Sequence, residues 1–505
     1  MILENGLIRT LDPQVPTQRA LAIAGELIAG GVGVHETALA SPEVVDLGGR
    51  VVLPGFTDSH VHFPTWALAQ AEVDLDGCAT LDEALSRLRG VAVPDGRWLR
   101  GYGWRSGDWS DGREPTRQDL DAITGNTPAA LIAKDYHSLW LNSAALAFAG
   151  GDLDVEGGVV ERDTGGEPTG VLREEACWQF KQRHMIVADN EYIDAMRVGI
   201  KLANSRGVTA VHDKDGWLGA LRLWQQLDEQ GALTLRVWQS IPADSLDLVS
   251  GQVRSGFGSS MLRLGYLKVF MDGTLGSQTA WMLDDSGVRI TSGDELAEIV
   301  LRGAAAGWPV AVHAIGDKAN REALDAFEKT REVWQPLGLR HRIEHAQLLA
   351  PEDVGRFAEI GVTASVQFAH APSDRDLADR FWAGKTDGAY AYRSLIDSGA
   401  VLVNGSDAPI EELDPLAGVR AGVRRSIDGR DAWHPEQCVT VDQAFHATCV
   451  TPAWLARDER RRGTLIPGKF ADLVVLDRDP WDDLDAQVVA TMVGGRWVHN
   501  PPPWD

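Results

Sequence analysis

Short apolar runs recur along the whole chain, but what separates them changes from one region to the next. Over residues 1–54, runs such as Ala20-Leu21-Ala22-Ile23-Ala24 are cut by Gly6, Gly25, Gly30-Gly31 and Gly48-Gly49, the pattern of short strands and tight turns. Residues 463–505 repeat it, with Leu473-Val474-Val475-Leu476 and Val488–Val493 ahead of Gly494-Gly495. Two strand-rich ends around a long middle predict a small β-sandwich assembled from both termini.

In the middle, apolar strands alternate with helix-length patterns. The strands end at His60-Val61-His62, His212, Trp238, Phe270, His313, His345, Val366 and Ser406. Asp294–Val300 and Asn320–Phe327 carry helical periodicity between consecutive strands, as parallel strands require. Eight such units predict an α/β fold, a (β/α)8 TIM-like barrel over 55–80 and 190–462. Residues 81–189 break the rhythm and are expected to form an inserted subdomain after the first strand. They are rich in tryptophan (Trp98, Trp104, Trp109, Trp140, Trp178), which is expected mostly to pack the insert's own core, with Trp104 a candidate to line a substrate pocket.

The 505 residues suit a barrel of roughly 250 residues with insertions and an accessory domain. A net charge of −25 argues against nucleic acid and anionic membranes as partners. The N-terminus reads as a strand and not as a signal peptide, and no apolar stretch approaches the roughly 18 residues of a membrane span. Cys78, Cys177, Cys438 and Cys449 stand far apart, which predicts reduced thiols, a cytoplasmic location and no zinc-thiolate site. A homodimer is compatible with this reading.

The candidate chemistry lies at the strand ends, where a β/α barrel places its active site. His60 and His62, at i and i+2 of a strand, can turn both imidazoles to one ion. Lys268 lies in the apolar run Leu264–Gly273, and His313, His345 and Asp407 close or follow later runs. Each histidine alone is more often structural, and Lys268 alone reads as a buried lysine paired with Asp272.

As a set, Leu53–His62, Lys268–Gly273, His313–Asp317, Arg340–Gln347 and Gly405–Pro409 resemble the amidohydrolase superfamily, in a branch of metal-dependent hydrolases that includes N-substituted formamide deformylase. The tail Gly463–Asp477 is similar to the superfamily at large, while Gln367-Phe368-Ala369-His370 lacks the proline usual after the glutamine. The resemblance implies an insert overhanging the barrel mouth and a two-metal centre. In it His60, His62 and Asp407 hold one ion, His313 and His345 the other, and a carbamate on Lys268 bridges both. Imidazole and carboxylate suit Zn²⁺, with Mn²⁺, Fe²⁺ or Co²⁺ served by the same ligand types. Such a centre activates water against a carbonyl, and Asp407 is expected to carry the proton to the leaving nitrogen.

Weaker candidates for substrate binding are His137, Gln367 and His370; His212 is expected to pack behind the site. His341 and His345 spell a zinc-protease motif, but in a strand they lie about 13 Å apart. Arginines 420–430 and 457–462 read as solvated or ion-paired. The expected function is hydrolysis of a carbon–nitrogen bond in a small amide, formamide or cyclic amide. The alternatives are a mononuclear deaminase of an aminated heterocycle, using His60, His62, His313 and Asp407, and a non-catalytic metal- or ligand-binding barrel.

Overall fold

Eight parallel strands form one sheet in strict chain order: β1 (Phe56–Val61), β2 (Val208–Asp213), β3 (Arg236–Pro242), β4 (Leu262–Phe270), β5 (Val310–Ala314), β6 (Arg342–His345), β7 (Thr363–Val366) and β8 (Leu402–Asn404). These coordinates are a computed structural model, and the residues described are 1–31, 43–94, 96–110 and 112–504. Just past β1 and β8 the two ends of the sheet meet: Asp407 N–H donates to His60 O (2.7 Å) and His62 N–H to Ala408 O (2.9 Å). The ring is thus drawn shut at the residues singled out as metal ligands.

The strands are parallel because helices return the chain each time. Every residue of β2, β5, β6, β7 and β8 is buried, as in sheets covered on both faces. Helix α1 (Gly293–Ala306) begins in a Ser292/Glu295 capping box and ends at Gly307, whose φ of 79° is the left-handed stop that glycine favours. Its buried Leu296, Val300 and Ala304 share one core with Val310 and Val312 of β5 and with Leu324 and Phe327 of α2 (Asp317–Lys329). Each large side chain sealed there contributes about 1.5–3 kcal/mol.

The termini do combine. Val51–Pro54 pairs antiparallel with Leu473–Leu476 in a six-stranded sheet, and a four-stranded sheet contains Ile2–Glu4, Leu21–Ala24, Leu27–Gly31 and Val44–Asp46. Leu3, Ile8, Ile23, Val52, Leu473, Val475 and Met492 fill one core from both sheets. Residues 32–42 of the expected sandwich lie outside the described residues. A buried two-point ion pair, Arg236 to Asp472 at 2.6 and 2.9 Å, fastens this unit to β3.

The insert carries its own six-stranded sheet, which takes in Val73–Asp74, upstream of residue 81, and continues through Leu99–Trp104, Ala129–Ala133, Ser138–Leu141, Pro168–Glu174 and Gly158–Arg162. Trp104, Trp109 and Trp140 pack edge against face in its core. Among the described residues no helix is long and apolar enough to cross a membrane, and all four cysteines are free.

Candidate metal centre

Four histidines gather around Asp407. Its Oδ1 lies 3.2 Å from His60 Nε2 and 3.5 Å from His62 Nε2, and its Oδ2 lies 3.7 Å from His345 Nδ1 and 3.9 Å from His370 Nε2. Ligand atoms of His60, His345 and Asp407 all fall within 4.8 Å of one another. The His313 ring is 4.5 Å from that of His345. The structure therefore brings His60, His62, His313, His345 and Asp407 together, although they come from four strands and span most of the chain.

Each imidazole is oriented by a partner on its far nitrogen. His60 Nδ1 donates to Glu344 (2.7 Å), His62 Nδ1 to Asp215 (2.7 Å), His345 Nδ1 to the Gln367 amide oxygen (2.9 Å) and His313 Nε2 to Gly273 O (3.1 Å). Such bonds fix the tautomer and leave the other nitrogen free for an ion. Glu344 is held in turn by Arg342 and Lys214 from beneath. His212 sits behind, its Nδ1 3.3 Å from Arg342, in keeping with a packing role.

Three of the four ligand histidines have pKa values displaced in the direction that suits metal ligation, whereas for His62 burial lowers the pKa but Asp215 outweighs this and raises it. Burial pushes His60, His313 and His345 below the usual imidazole range, toward the neutral form that donates to metal. Burial would raise Asp407, but His60 and His345 outweigh it and hold the carboxylate ionised. Burial lowers Lys268 to about 8. Its Nζ, together with His60 Nε2 and Asp407 Oδ1, is buried without a hydrogen-bond partner among the described residues. Buried polar atoms normally have partners, and these three are of the kind a metal ion and its ligands would satisfy. Nitrogen and carboxylate donors in this set fit a divalent metal. The alternative pairing of Lys268 with Asp272 is absent: Asp272 accepts backbone N–H groups from Trp281, Ile315 and Gly316.

His345, Ala346 and Asp407 adopt left-handed φ of 76°, 45° and 60°. Non-glycine residues hold such angles at a cost of roughly 1–3 kcal/mol each and cluster at functional sites.

The substrate candidates separate. His137 reaches the centre from the insert, its ring 5.8 Å from that of His313. Burial lowers its pKa, but Glu174 outweighs this and raises it. His370 stacks on His345 and receives Gln347 Nε2 on Nδ1 (3.1 Å), so its Nε2–H faces Asp407. Gln367 acts through His345. Trp104 is not at the site: it is 2% exposed, and its indole N–H is spent on Leu131 O (2.8 Å). Trp178 packs against the insert's core as expected, and it also lies 4.9 Å from the His137 ring and 5.9 Å from Phe270, which has Trp217 at 5.3 Å. His341 is structural, its Nδ1 taken by Val310 N–H. Several of the clustered arginines are paired, for example Arg424 with Asp485 and Arg462 with Asp458, whereas Arg425 is buried and donates to the Trp433 and Tyr390 carbonyls.

Sequence reasoning missed Glu344, Asp215, Glu174 and Gln347. Asp213-Lys214-Asp215 directly follows a barrel strand, and that position was the available signal for Asp215.

Comparison with known proteins agrees with this geometry. Residues 43–499 match a family model described as Amidohydrolase family. Protein LONG AFTER FAR-RED 3 of Arabidopsis thaliana is 31% identical, covering 99% of this chain and 91% of its own. N-substituted formamide deformylase of Arthrobacter pascens is 28% identical, covering 98% and 97%. The crystal structure of an uncharacterized metal-dependent hydrolase from Pyrococcus horikoshii is similar with a TM-score of 0.78 at 28% identity, covering 95% of this chain and 98% of that one.

Proposed function

Since the chain belongs to the amidohydrolase family and is a metal-dependent hydrolase, we propose that it cleaves a carbon–nitrogen bond other than a peptide bond in a small amide, formamide or cyclic amide. The observation that carries the reading is the set of unpartnered buried atoms, His60 Nε2, Lys268 Nζ and Asp407 Oδ1, with the Phe270 ring 4.6 Å from Lys268 Nζ.

His60, His62 and Asp407 would hold one ion and His313 and His345 a second, with Lys268, as a carbamate, between them. Lys268 is suited to that modification because an amine lowered to about 8 has a sizeable neutral fraction to combine with CO₂. Zn²⁺ is the first choice, with Mn²⁺, Fe²⁺ and Co²⁺ served by the same donors. Bound there, divalent metal supplies a water of lowered pKa and polarises a carbonyl oxygen.

The chain's own groups do the rest. Asp407, ionised and close to His60 and His62, accepts the water's proton and returns it to the leaving nitrogen, which departs poorly as an anion. His370 Nε2, 3.9 Å from Asp407 Oδ2, steadies the carboxylate between those two transfers. Phe270, Trp178 and Trp217 offer apolar surface to the substrate on the His313 side of the centre and keep bulk water out.

The test is a panel of kcat/KM values over N-substituted formamides, other small amides, cyclic amides, dipeptides, lactones, phosphotriesters and aminated heterocycles. Fastest turnover among the small amides is expected. Ammonia release from a purine or pyrimidine as the fastest reaction would replace this reading with deamination.

A further inference from the structure

The insert brings to the centre a histidine–carboxylate pair that none of the roles above uses. His137 Nδ1 donates to Glu174 Oε2 at 2.7 Å, and Glu174 is fully buried. The second carboxylate oxygen of Glu174 accepts from Ser277 Oγ (3.1 Å) and from the Thr279 hydroxyl, both on the loop after β4. Asp135 repeats the bridge: its Oδ1 accepts His137 N–H (3.0 Å) and its Oδ2 accepts the Thr274 hydroxyl (2.9 Å). The imidazole of an insert residue is thus aimed by the barrel.

Two features mark this placement as more than packing. Tyr136 and Glu174, on separate strands' ends, both take left-handed φ, 60° and 52°, so two segments are strained to bring the pair together. Moreover, His137 is only 7% exposed, and its Nε2, which no protein group takes among the described residues, is not sealed off but left open. Gly273 is required by the same arrangement, because a Cβ there would collide with Thr279 Oγ1 and stand 2.7 Å from Glu174 Oε1.

The position of the ring indicates what it meets. From Asp407 the site runs through His345, 3.7 Å away, to the His313 ring 4.5 Å further, and to the His137 ring 5.8 Å beyond that. Asp407 serves the leaving nitrogen at one end, so the carbonyl oxygen, on a different bond of the same carbon, has the other end. We propose that His137 is a substrate-contacting residue whose Nε2 hydrogen-bonds the acyl oxygen, with Glu174 as its positioning residue. The inference rests on the reading of the centre as one that hydrolyses acyl compounds. As the water oxygen bonds to carbon, the carbonyl π pair moves onto the acyl oxygen, where His137 meets it. The pair returns as the carbon–nitrogen bond breaks, its electrons staying with nitrogen, which takes the proton from Asp407.

The experiment uses the full chain loaded with Zn²⁺, comparing wild type with His137→Gln, His137→Ala and Glu174→Gln. All should hold wild-type zinc. Both His137 variants should lose about 10²-fold in kcat with little change in KM, the loss typical of one oxyanion donor. Added imidazole should restore part of the rate to His137→Ala but not to His137→Gln, which a packing role would not produce. Glu174→Gln should fall less, by about tenfold. p-Nitrophenyl acetate is run beside the amides. If only the ester turns over, the amide reading fails and the ester rates decide for His137. If neither turns over, binding of acetohydroxamate decides, weaker in both His137 variants if the contact exists. Wild-type kcat and hydroxamate affinity in His137→Gln overturn the proposal, as does loss of zinc in step with loss of rate in both variants. Should His137→Ala not fold, His137→Gln carries the test.

Discussion

Arg342 and Glu344, two residues apart on β6, form a two-point ion pair sealed from solvent, Nε to Oε1 at 2.6 Å and Nη2 to Oε2 at 2.7 Å. The same carboxylate takes His60 Nδ1 at 2.7 Å and Lys214 Nζ at 3.1 Å. Burial would raise its pKa, but the cations outweigh burial and hold Glu344 well below the usual range. The orientation of a candidate metal ligand is therefore set by a charge cluster inside the barrel.

Removing one partner of such a pair leaves the other charge uncompensated. Arg342→Leu should destabilise the chelated protein by about 3–5 kcal/mol in urea unfolding. It should also weaken metal retention, because His60 loses its fixed partner. A change below about 1 kcal/mol would show that Lys214 alone suffices for Glu344.

Lys268 is a stability liability without metal, being a buried amine with no hydrogen-bond partner. Lys268→Met should raise the melting temperature of the chelated protein while lowering its capacity for metal. The pH dependence follows from the folded pKa of about 8 against the ordinary lysine value of 10.5. Between those values the unfolded chain binds more protons than the folded one, so wild-type stability rises with pH across that window. In CO₂-free buffer the advantage of Lys268→Met should be full below pH 8 and shrink by roughly 3 kcal/mol on approaching pH 10.5. A constant gap across the window would show that the folded amine keeps its proton as the unfolded one does.

Asp407→Asn should fold normally, keep most of its metal and lose at least roughly 10²-fold in kcat, the low end for general acid–base catalysis. Circular dichroism, elemental analysis and steady-state kinetics check the three parts. Near-native turnover would move the proton transfer to His370, the imidazole facing the same carboxylate.

Chelation should abolish activity, and Zn²⁺ or Mn²⁺ with bicarbonate should restore it. Elemental analysis of protein purified without chelator is expected to approach two divalent ions per chain. A firm value of one, unchanged by added metal and bicarbonate, would exclude the lysine-bridged pair.

The barrel was readable because several of its strands are compact apolar runs that close on a polar residue. Val310–His313 and Ile343–His345 announce both burial and chemistry within a few positions. The residues that aim those side chains were not readable in the same way. Glu344 lies 284 positions from His60, and Glu174 lies 37 from His137, with nothing local to connect them. Trp104 and Trp178 show the same limit. Both are tryptophans of one segment, but only the folded sheet turns Trp104 inward and Trp178 toward Phe270.

The pairing of Val51–Pro54 with Leu473–Leu476 also bears on the order of folding. Contacts across so long a separation form late, since the loop between them must first be ordered. On a growing chain, Val51–Pro54 is completed long before its neighbour exists, so one side waits as an unpaired strand edge of the kind that recruits other chains. The interval in which nascent protein is open to aggregation is then set by the synthesis of the entire barrel, and truncation after residue 462 would make it permanent.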